Sequence, residues 1–554
     1  MTVTALGSTV RVMVEQFTRH GASWRWYVPL GLALAIAAEV AYVSLFSPFY
    51  TTDATLQLST SAALGDSIGG FDLGAAFLEW NPWPAPNVLS TLLLSGLIAL
   101  FGAEWGERLV ALGYVVALPW AALYAIRSSC AANDWFAFFA LPLTFSLTFM
   151  YGFFNFSYSV LGFLVLAGFV LRSDVSMPGR RGAALAALLV LAFFTHFVGF
   201  LASCLLILVV FAVRAALHAE DRRRILFQGG LVLLPGALLT ILFVASSDSA
   251  SVVLWTAPTL STLSSMATLV WGLASWDALE RHVCRLLAAT LWALVLVAAV
   301  RRRPWREREP DIVALCVFAL AAALVAVIAP SEVASGGSLL SERLVLFPVL
   351  GAVLWLSRQR LPNALVVGAA VVAVVAAGAL AGLRYDELRE GERIIDDLHA
   401  LAPCVEGGTT IVQANASPLI VGSAGRIDAF ADEAGRLSVR RDGLDLSNVA
   451  WAVPFSLQQF RADVDPTDRL FLADRHWAVP PPLDLETYER RAGVTVDYVL
   501  LRGRRGLTEE TRRSGTWRRF EGSLRREHRL LMTSPRGLWE LWATGRRACE
   551  GTAS

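Results

Sequence analysis

The chain has 554 residues, 55% of them hydrophobic, and a mean hydropathy of +0.55. Its 47 basic residues are all arginine and face 46 acidic ones, leaving a formal net charge of +1. That balance excludes a bulk polyelectrolyte partner such as nucleic acid, and the hydropathy excludes an ordinary soluble globule in favour of a polytopic α-helical membrane protein.

Apolar runs of about 20 residues mark the spans, and arginines in their flanks orient them. The first span covers residues 26–46, with Arg11, Arg19 and Arg25 on its cytoplasmic side. No small-residue cleavage site follows its apolar core, so it reads as an uncleaved first span. Residues 47–102 then form a long outer loop with acids at Asp53, Asp66, Asp72 and Glu79. The loop passes through Pro82, Pro84 and Pro86 into a Leu-rich helix that ends at Phe101-Gly102. Connections in compact proteins run to about 2–6 residues, and much longer ones tend to be functional. Further spans are expected at 108–126, 135–150 and 156–171.

Residues 183–213 are too long for one span and short for two, with arginines at Arg180, Arg181, Arg214 and Arg222 to Arg224 on both flanks. Basic clusters favour the cytoplasmic side, so two short helices should enter and return, turning below the outer surface at Phe194-Thr195-His196. Irregular backbone at that depth is tolerated only beside protein or a water-filled cavity, which places His196 near a cavity floor. Spans at 225–245, 283–300, 312–328, 343–356 and 364–383 bring the total to about eleven, with the N-terminus inside and the C-terminus outside. The expected domains are thus a membrane domain, 1–383, and an exported soluble domain, 384–554.

The second domain loses the long apolar runs. It mixes β-like stretches at 409–413 and 494–501 with a helix-like one at 385–401, which points to an α/β or α+β domain. Two cysteines, Cys404 and Cys549, stand near its two ends. In an oxidising compartment such a pair suggests a disulfide, with two separate thiols as the alternative.

Four features in fixed order resemble a known family. They are an outer loop opening with an acid (Tyr50-Thr51-Thr52-Asp53), the Pro-rich turn into Phe101-Gly102, Glu107-Arg108-Leu109 at the next span, and Glu342-Arg343-Leu344-Val345-Leu346-Phe347-Pro348 late in the chain. With the short helices around Thr195-His196 and the exported domain, the chain is similar to the GT-C class of integral-membrane glycosyltransferases. That class includes the aminoarabinose, protein mannosyl and arabinofuranosyl transferases.

The resemblance implies transfer of a sugar from a polyprenyl-phosphate donor to a lipid, glycan or protein acceptor at the outer face of a bacterial cytoplasmic membrane. Asp53 would be the general base, and Arg343 and His196 would hold the donor phosphate. Many relatives pair two acids at the loop start. Here Ala54 follows Asp53, so a second carboxylate would have to come from Asp72 or Glu79, and a divalent-metal cofactor is left open.

Plainer roles compete with each assignment. Asp53 suits the N-cap of the segment 54–64. Arg343 could snorkel or pair with Glu342. His196 could be a core histidine. Glu39 could pair inside the bundle, Trp80, Trp83 and the Tyr151–Tyr158 turn could anchor at the interface, and the arginines of 502–526 could form a solvated face. A lipid transporter or flippase, or a non-catalytic scaffold of this architecture, is the competing reading of the whole chain.

Overall fold

The computed structural model describes residues 24–46, 52–69, 72–128, 133–173, 177, 179–246, 253–254, 259–275, 277–302, 309–330, 332–333, 339–417, 428, 430–453, 456–467, 470, 483–545, 547 and 549. Among them, nine helices are long and apolar enough to cross a membrane: Trp26–Ser44, Ala103–Arg127, Phe154–Leu171, Phe197–Leu217, Arg222–Ser246, Glu280–Arg301, Pro310–Ile328, Leu340–Ser357 and Asn363–Cys404. Their outer faces are bare leucines and isoleucines, such as Leu234, Leu238 and Ile241 on one helix and Leu320 and Leu324 on another. Such a surface is stable against lipid tails, which are as apolar as leucine.

Two of the expected spans take another form. Residues 135–150 break into a 3-10 turn, Asp134–Phe139, and two short helices, Ala140–Thr144 and Leu147–Met150. The whole stretch from Phe136 to Met150 is buried in protein, where broken backbone is tolerated. At the break the Phe145 carbonyl accepts from Arg384 Nη1 at 2.7 Å. The same guanidinium donates to Glu280 Oε2 at 2.7 Å and to the Leu273 carbonyl at 2.6 Å.

The second departure lies within 183–213. Two helices, Gly179–Thr195 and Phe197–Leu217, meet at an extended His196 (φ −168°, ψ 131°), as the basic flanks suggested. At 1.5 Å per residue the first, of 17 residues, is about 26 Å long and falls short of a ~30 Å core; the second, of 21, does not.

The loop after the first span is largely helical. It holds Thr52–Gly69, Asp72–Phe77, a strand Leu78–Trp80 and the helix Leu89–Phe101. Gly102 then turns the chain at φ +80°, a conformation open to glycine, straight into Ala103–Arg127.

Helix Asn363–His399 runs unbroken through residues 383 and 384, so no flexible linker separates membrane helix and soluble domain. Beyond it a five-stranded sheet has the order Leu444–Asp445, Thr410–Asn415, Tyr498–Arg502, Trp539–Thr544, His528–Thr533. The first three strands are parallel and the rest antiparallel. One sheet face (Val412, Val499, Leu501, Trp542) packs on Trp517, Phe520 and Tyr488 of the helices Gly515–Glu527 and Leu485–Ala492. The other face, with Ile411, Leu500 and Leu541, joins the core that continues into the membrane domain. Cys404 and Cys549 are disulfide-bonded.

The soluble domain clamps the loop. Strand Leu78–Trp80 pairs antiparallel with Gln458–Phe460, in the register Glu79↔Gln459. Asn448 Nδ2 donates to the Leu56 carbonyl (3.1 Å), Ser59 Oγ (2.7 Å) and Thr60 Oγ1 (3.0 Å) of the loop helix. Arg436 grips Glu107 with two bonds of 2.7 and 2.9 Å, and its Nε lies 2.9 Å from Glu433.

Candidate active site

Asp53 sits in the first turn of helix Thr52–Gly69, and its backbone N–H donates to the Tyr151 carbonyl at 2.9 Å. One turn on, Gln57 aligns it. Gln57 Nε2 donates to Asp53 Oδ2 (3.2 Å) and to the Gly152 carbonyl (2.8 Å), while Gln57 Oε1 accepts from Ser90 Oγ at 3.3 Å. Ser90 is in turn bound to Asn155 Oδ1 through both its hydroxyl and its backbone N–H. Three segments of the chain therefore fix one carboxylate. Desolvation raises its pKa to about 6, against the opposing pull of the Gln57 amide and the nearby Arg343 charge.

The Pro-rich turn carries the site onward. Asn87, at φ +67°, accepts the Phe197 N–H at 3.0 Å, and the Val88 N–H donates to the Phe194 carbonyl at 2.8 Å. These bonds lock the turn onto the backbone on both sides of His196. The imidazole Nδ1 accepts the Val198 N–H at 3.2 Å. A neutral ring then carries its proton on Nε2, which lies 3.5 Å from Arg343 Nη1.

The guanidinium and the imidazole thus stand side by side in the protein interior. Arg343 is buried, stacks over the Phe153 ring at 4.1 Å, and has an Nε with no hydrogen-bond partner. Buried donors in this state are stabilised by an arriving anion, which accepts from all of them at once.

The carboxylates near Asp53 come from the soluble domain. Asp432 is close enough that burial and the charges of Asp445 and Asp53 push it well above the usual carboxylate range. Asp428 is neutralised by Arg502 through bonds of 2.5 and 2.7 Å. Thr55 Oγ1 donates to Glu433 Oε1 at 3.2 Å, binding the same segment to the loop helix. The sequence looked for a second acid within the loop. Glu79 instead lies exposed on the strand that pairs with the soluble domain, and the Asp72 side chain is outside the described residues.

Asp53, His196 and Arg343 are therefore brought together, and Asp432, Gln57 and Asn155 are additions. Asn155 stood in the Tyr151–Tyr158 turn, which the sequence offers as a lining of the acceptor path but more simply as an interfacial belt, and Asp432 stood in a polar stretch with nothing local to single it out. Among the remaining candidates, Glu39 is buried in the first span, and Trp80 and Trp83 are exposed as interfacial anchors would be. Among the described residues no cluster of three or more His, Cys, Asp or Glu is placed to hold a metal.

No family model and no curated protein matches the chain by sequence. Solved structures do match it by fold. ArnT from Cupriavidus metallidurans bound to undecaprenyl phosphate aligns over 95% of this chain and 99% of its own, with a TM-score of 0.51 and 13% identity. The same protein in the apo state aligns over 93% and 97%, with a TM-score of 0.53 and again 13% identity. The likeness is one of fold, and it covers both the membrane helices and the C-terminal sheet domain. That is the architecture expected from the GT-C resemblance.

Proposed function

We propose that this chain is a membrane glycosyltransferase. It moves a sugar from a polyprenyl-phosphate donor to an acceptor hydroxyl at the outer face of a bacterial cytoplasmic membrane. One observation carries the reading. A carboxylate with a pKa near 6 stands within electrostatic reach of a buried arginine that lies 3.5 Å from His196 Nε2 and keeps an Nε with no hydrogen-bond partner. A structural neighbour by fold was solved with undecaprenyl phosphate, the kind of phosphate such an arginine would suit.

In the reaction Asp53 takes the proton of the acceptor hydroxyl as its oxygen bonds to the anomeric carbon. The bond from that carbon to the phosphate oxygen breaks, and its electron pair leaves with the lipid phosphate. Arg343 and His196 stabilise the added charge as it builds. Burial first, and then the charges of Asp445 and Asp53, raise the Asp432 carboxyl well above the usual carboxylate range.

The disulfide supports an oxidising compartment for the soluble domain, and with it a cytoplasmic N-terminus by the arginine distribution.

The test uses full-length protein in nanodiscs with radiolabelled polyprenyl-phosphate sugars and a membrane extract as acceptor. Wild type should turn over at least one donor, and Asp53→Asn should bind that donor without transfer. Equal activity in the variant would remove Asp53 as base. Failure of wild type to bind any donor would sink the transferase reading in favour of transport or scaffolding.

A further inference from the structure

The turn from Tyr151 to Phe156 meets the site at successive positions. The Tyr151 carbonyl accepts the Asp53 N–H at 2.9 Å, and the Gly152 carbonyl accepts from Gln57 Nε2 at 2.8 Å. The Arg343 guanidinium lies over the Phe153 ring, 4.1 Å from its centre. The Phe156 ring stands edge-on to the His196 imidazole, with 5.3 Å between centroids. An interfacial belt would turn such rings out toward the headgroups. Phe153, Phe154 and Phe156 are buried instead, so the turn faces the site.

How Arg343 is held bears on what it can bind. A carboxylate partner would occupy the N–H edge of the guanidinium, the same edge that grips a phosphate. An aromatic face holds the cation from its flat side and leaves that edge unspent. Arg343 is held in this second way, over Phe153, and its Nε has no hydrogen-bond partner.

The ring under Arg343 is tied to the segment that anchors Asp53. Tyr151 and Phe153 flank Gly152 and stack on one another, with 4.9 Å between centroids and 23° between planes. Gly152 sits at φ +91°, a conformation open to glycine and strained for any residue with a side chain. That reversal lets residues 151 and 152 spend their carbonyls on the helix of Asp53 while residue 153 gives its ring to Arg343.

We infer that Phe153 is a positioning residue for Arg343, and that Tyr151-Gly152-Phe153 sets the spacing between the carboxylate that takes the acceptor proton and the guanidinium that receives the donor phosphate. The inference rests on the roles proposed above for Asp53 and Arg343; the ring contact itself does not. Transfer needs both groups at one anomeric carbon, and a misplacement of about 1 Å costs on the order of 100-fold in rate.

Fluorination tests the ring with little change in its shape. Phe153 is replaced by monofluoro-, difluoro- and trifluorophenylalanine in full-length protein in nanodiscs, beside Phe153→Leu and Phe153→Tyr. Each variant is read by equilibrium binding of undecaprenyl phosphate. Each is also read by apparent melting temperature without that lipid, with Arg343 present and with Arg343→Met. Fluorine draws charge from the ring face, so affinity should fall stepwise, to about tenfold below wild type for the trifluoro ring and for Leu, while Tyr retains it. Melting temperature should fall along the fluorine series with Arg343 present and stay level with Arg343→Met. Gly152→Ala should lower transfer about 100-fold in protein that still binds undecaprenyl phosphate.

A ring that only fills space would respond to Leu and ignore fluorine, and that result would overturn the assignment of Phe153. Transfer by Gly152→Ala at the wild-type rate would remove the turn as the spacer. If wild type binds no undecaprenyl phosphate while fluorine still lowers the melting temperature only when Arg343 is present, Phe153 stands as the seat of Arg343 and the transferase reading falls.

Discussion

At the scale of single residues, the site depends on protonation. Asp53 acts as a base only when ionised, and its pKa is raised to about 6. The pH profile of kcat/KM should therefore carry an acid limb that falls below about pH 6, and a profile flat to pH 4.5 would contradict the assignment. Asp53→Asn should lower kcat by roughly 10²–10⁴-fold, the usual contribution of a positioned base. Stability runs the other way. Asp53 at about 6, and Glu433 and Asp445 at about 7, all lie above their unfolded values. The stability they lend is complete below about pH 4 and is lost as pH rises through 6 to 7. Apparent melting temperature should fall from pH 5 to pH 8 while activity climbs.

Three site residues were legible because each breaks a local rule: an acid just beyond a span, a histidine in a turn at membrane depth, an arginine at an outward helix end. Asp432 breaks no such rule. The contact that fixes its segment, Thr55 to Glu433, joins residues 378 apart in sequence, and no local pattern encodes such a meeting.

Among the elements, the informative one is the stretch that failed to be a helix. Residues 135–150 have the composition of a span, but Pro142 lacks a donor and Ser146 spends its side chain on the Phe149 N–H. The decisive stabiliser of the break, Arg384, lies 239 residues away. Composition measures apolarity, and it is blind to an arginine that satisfies a broken backbone from another helix.

The clamp on the loop is of the same kind. Arg436 and Glu107 are 5% and 2% exposed, and Glu433 is 0% exposed beside them. Removing the arginine alone strands two buried carboxylates, a loss of roughly 3–5 kcal/mol in comparable pairs. Arg436→Met should thus sharply lower the apparent melting temperature, and adding Glu107→Gln should recover part of it. A double variant no better than the single one would mean that the pair carries no coupling. Asn448→Ala, which removes three hydrogen bonds to the loop helix, should reduce transfer more than it reduces donor binding, because it frees the helix that carries Asp53.

For the molecule as a whole, the positions of nine spans were readable, since bilayer thickness imposes a length on every crossing, and the broken stretch at 135–150 was not. The union of the two parts was not, because it rests on strand pairing and ion pairs between distant segments. The disulfide between Cys404 and Cys549 closes a loop of 145 residues, and the chain-entropy relation assigns such a closure about 5 kcal/mol. Reduction should lower the melting temperature of the soluble domain and leave the membrane helices folded, as read by limited proteolysis. Unchanged protease resistance after verified reduction would show that the bridge contributes little.

The helix Asn363–His399 has 37 residues, about 55 Å, against a hydrocarbon core of ~30 Å. Its middle is fixed in rotation by Arg384 on Phe145 and Glu280, and its upper end by Asp397, which accepts from Ser534 Oγ and the Arg536 N–H, each at 2.6 Å. The helix therefore sets an azimuth as well as a height. One residue inserted between those two fixings would turn everything above it by about 100° and lift it ~1.5 Å. Asp432 would swing away from Asp53 while every hydrogen bond within the soluble domain stayed intact. The compass bearing of that domain over the cavity is written in the number of residues between Arg384 and Asp397.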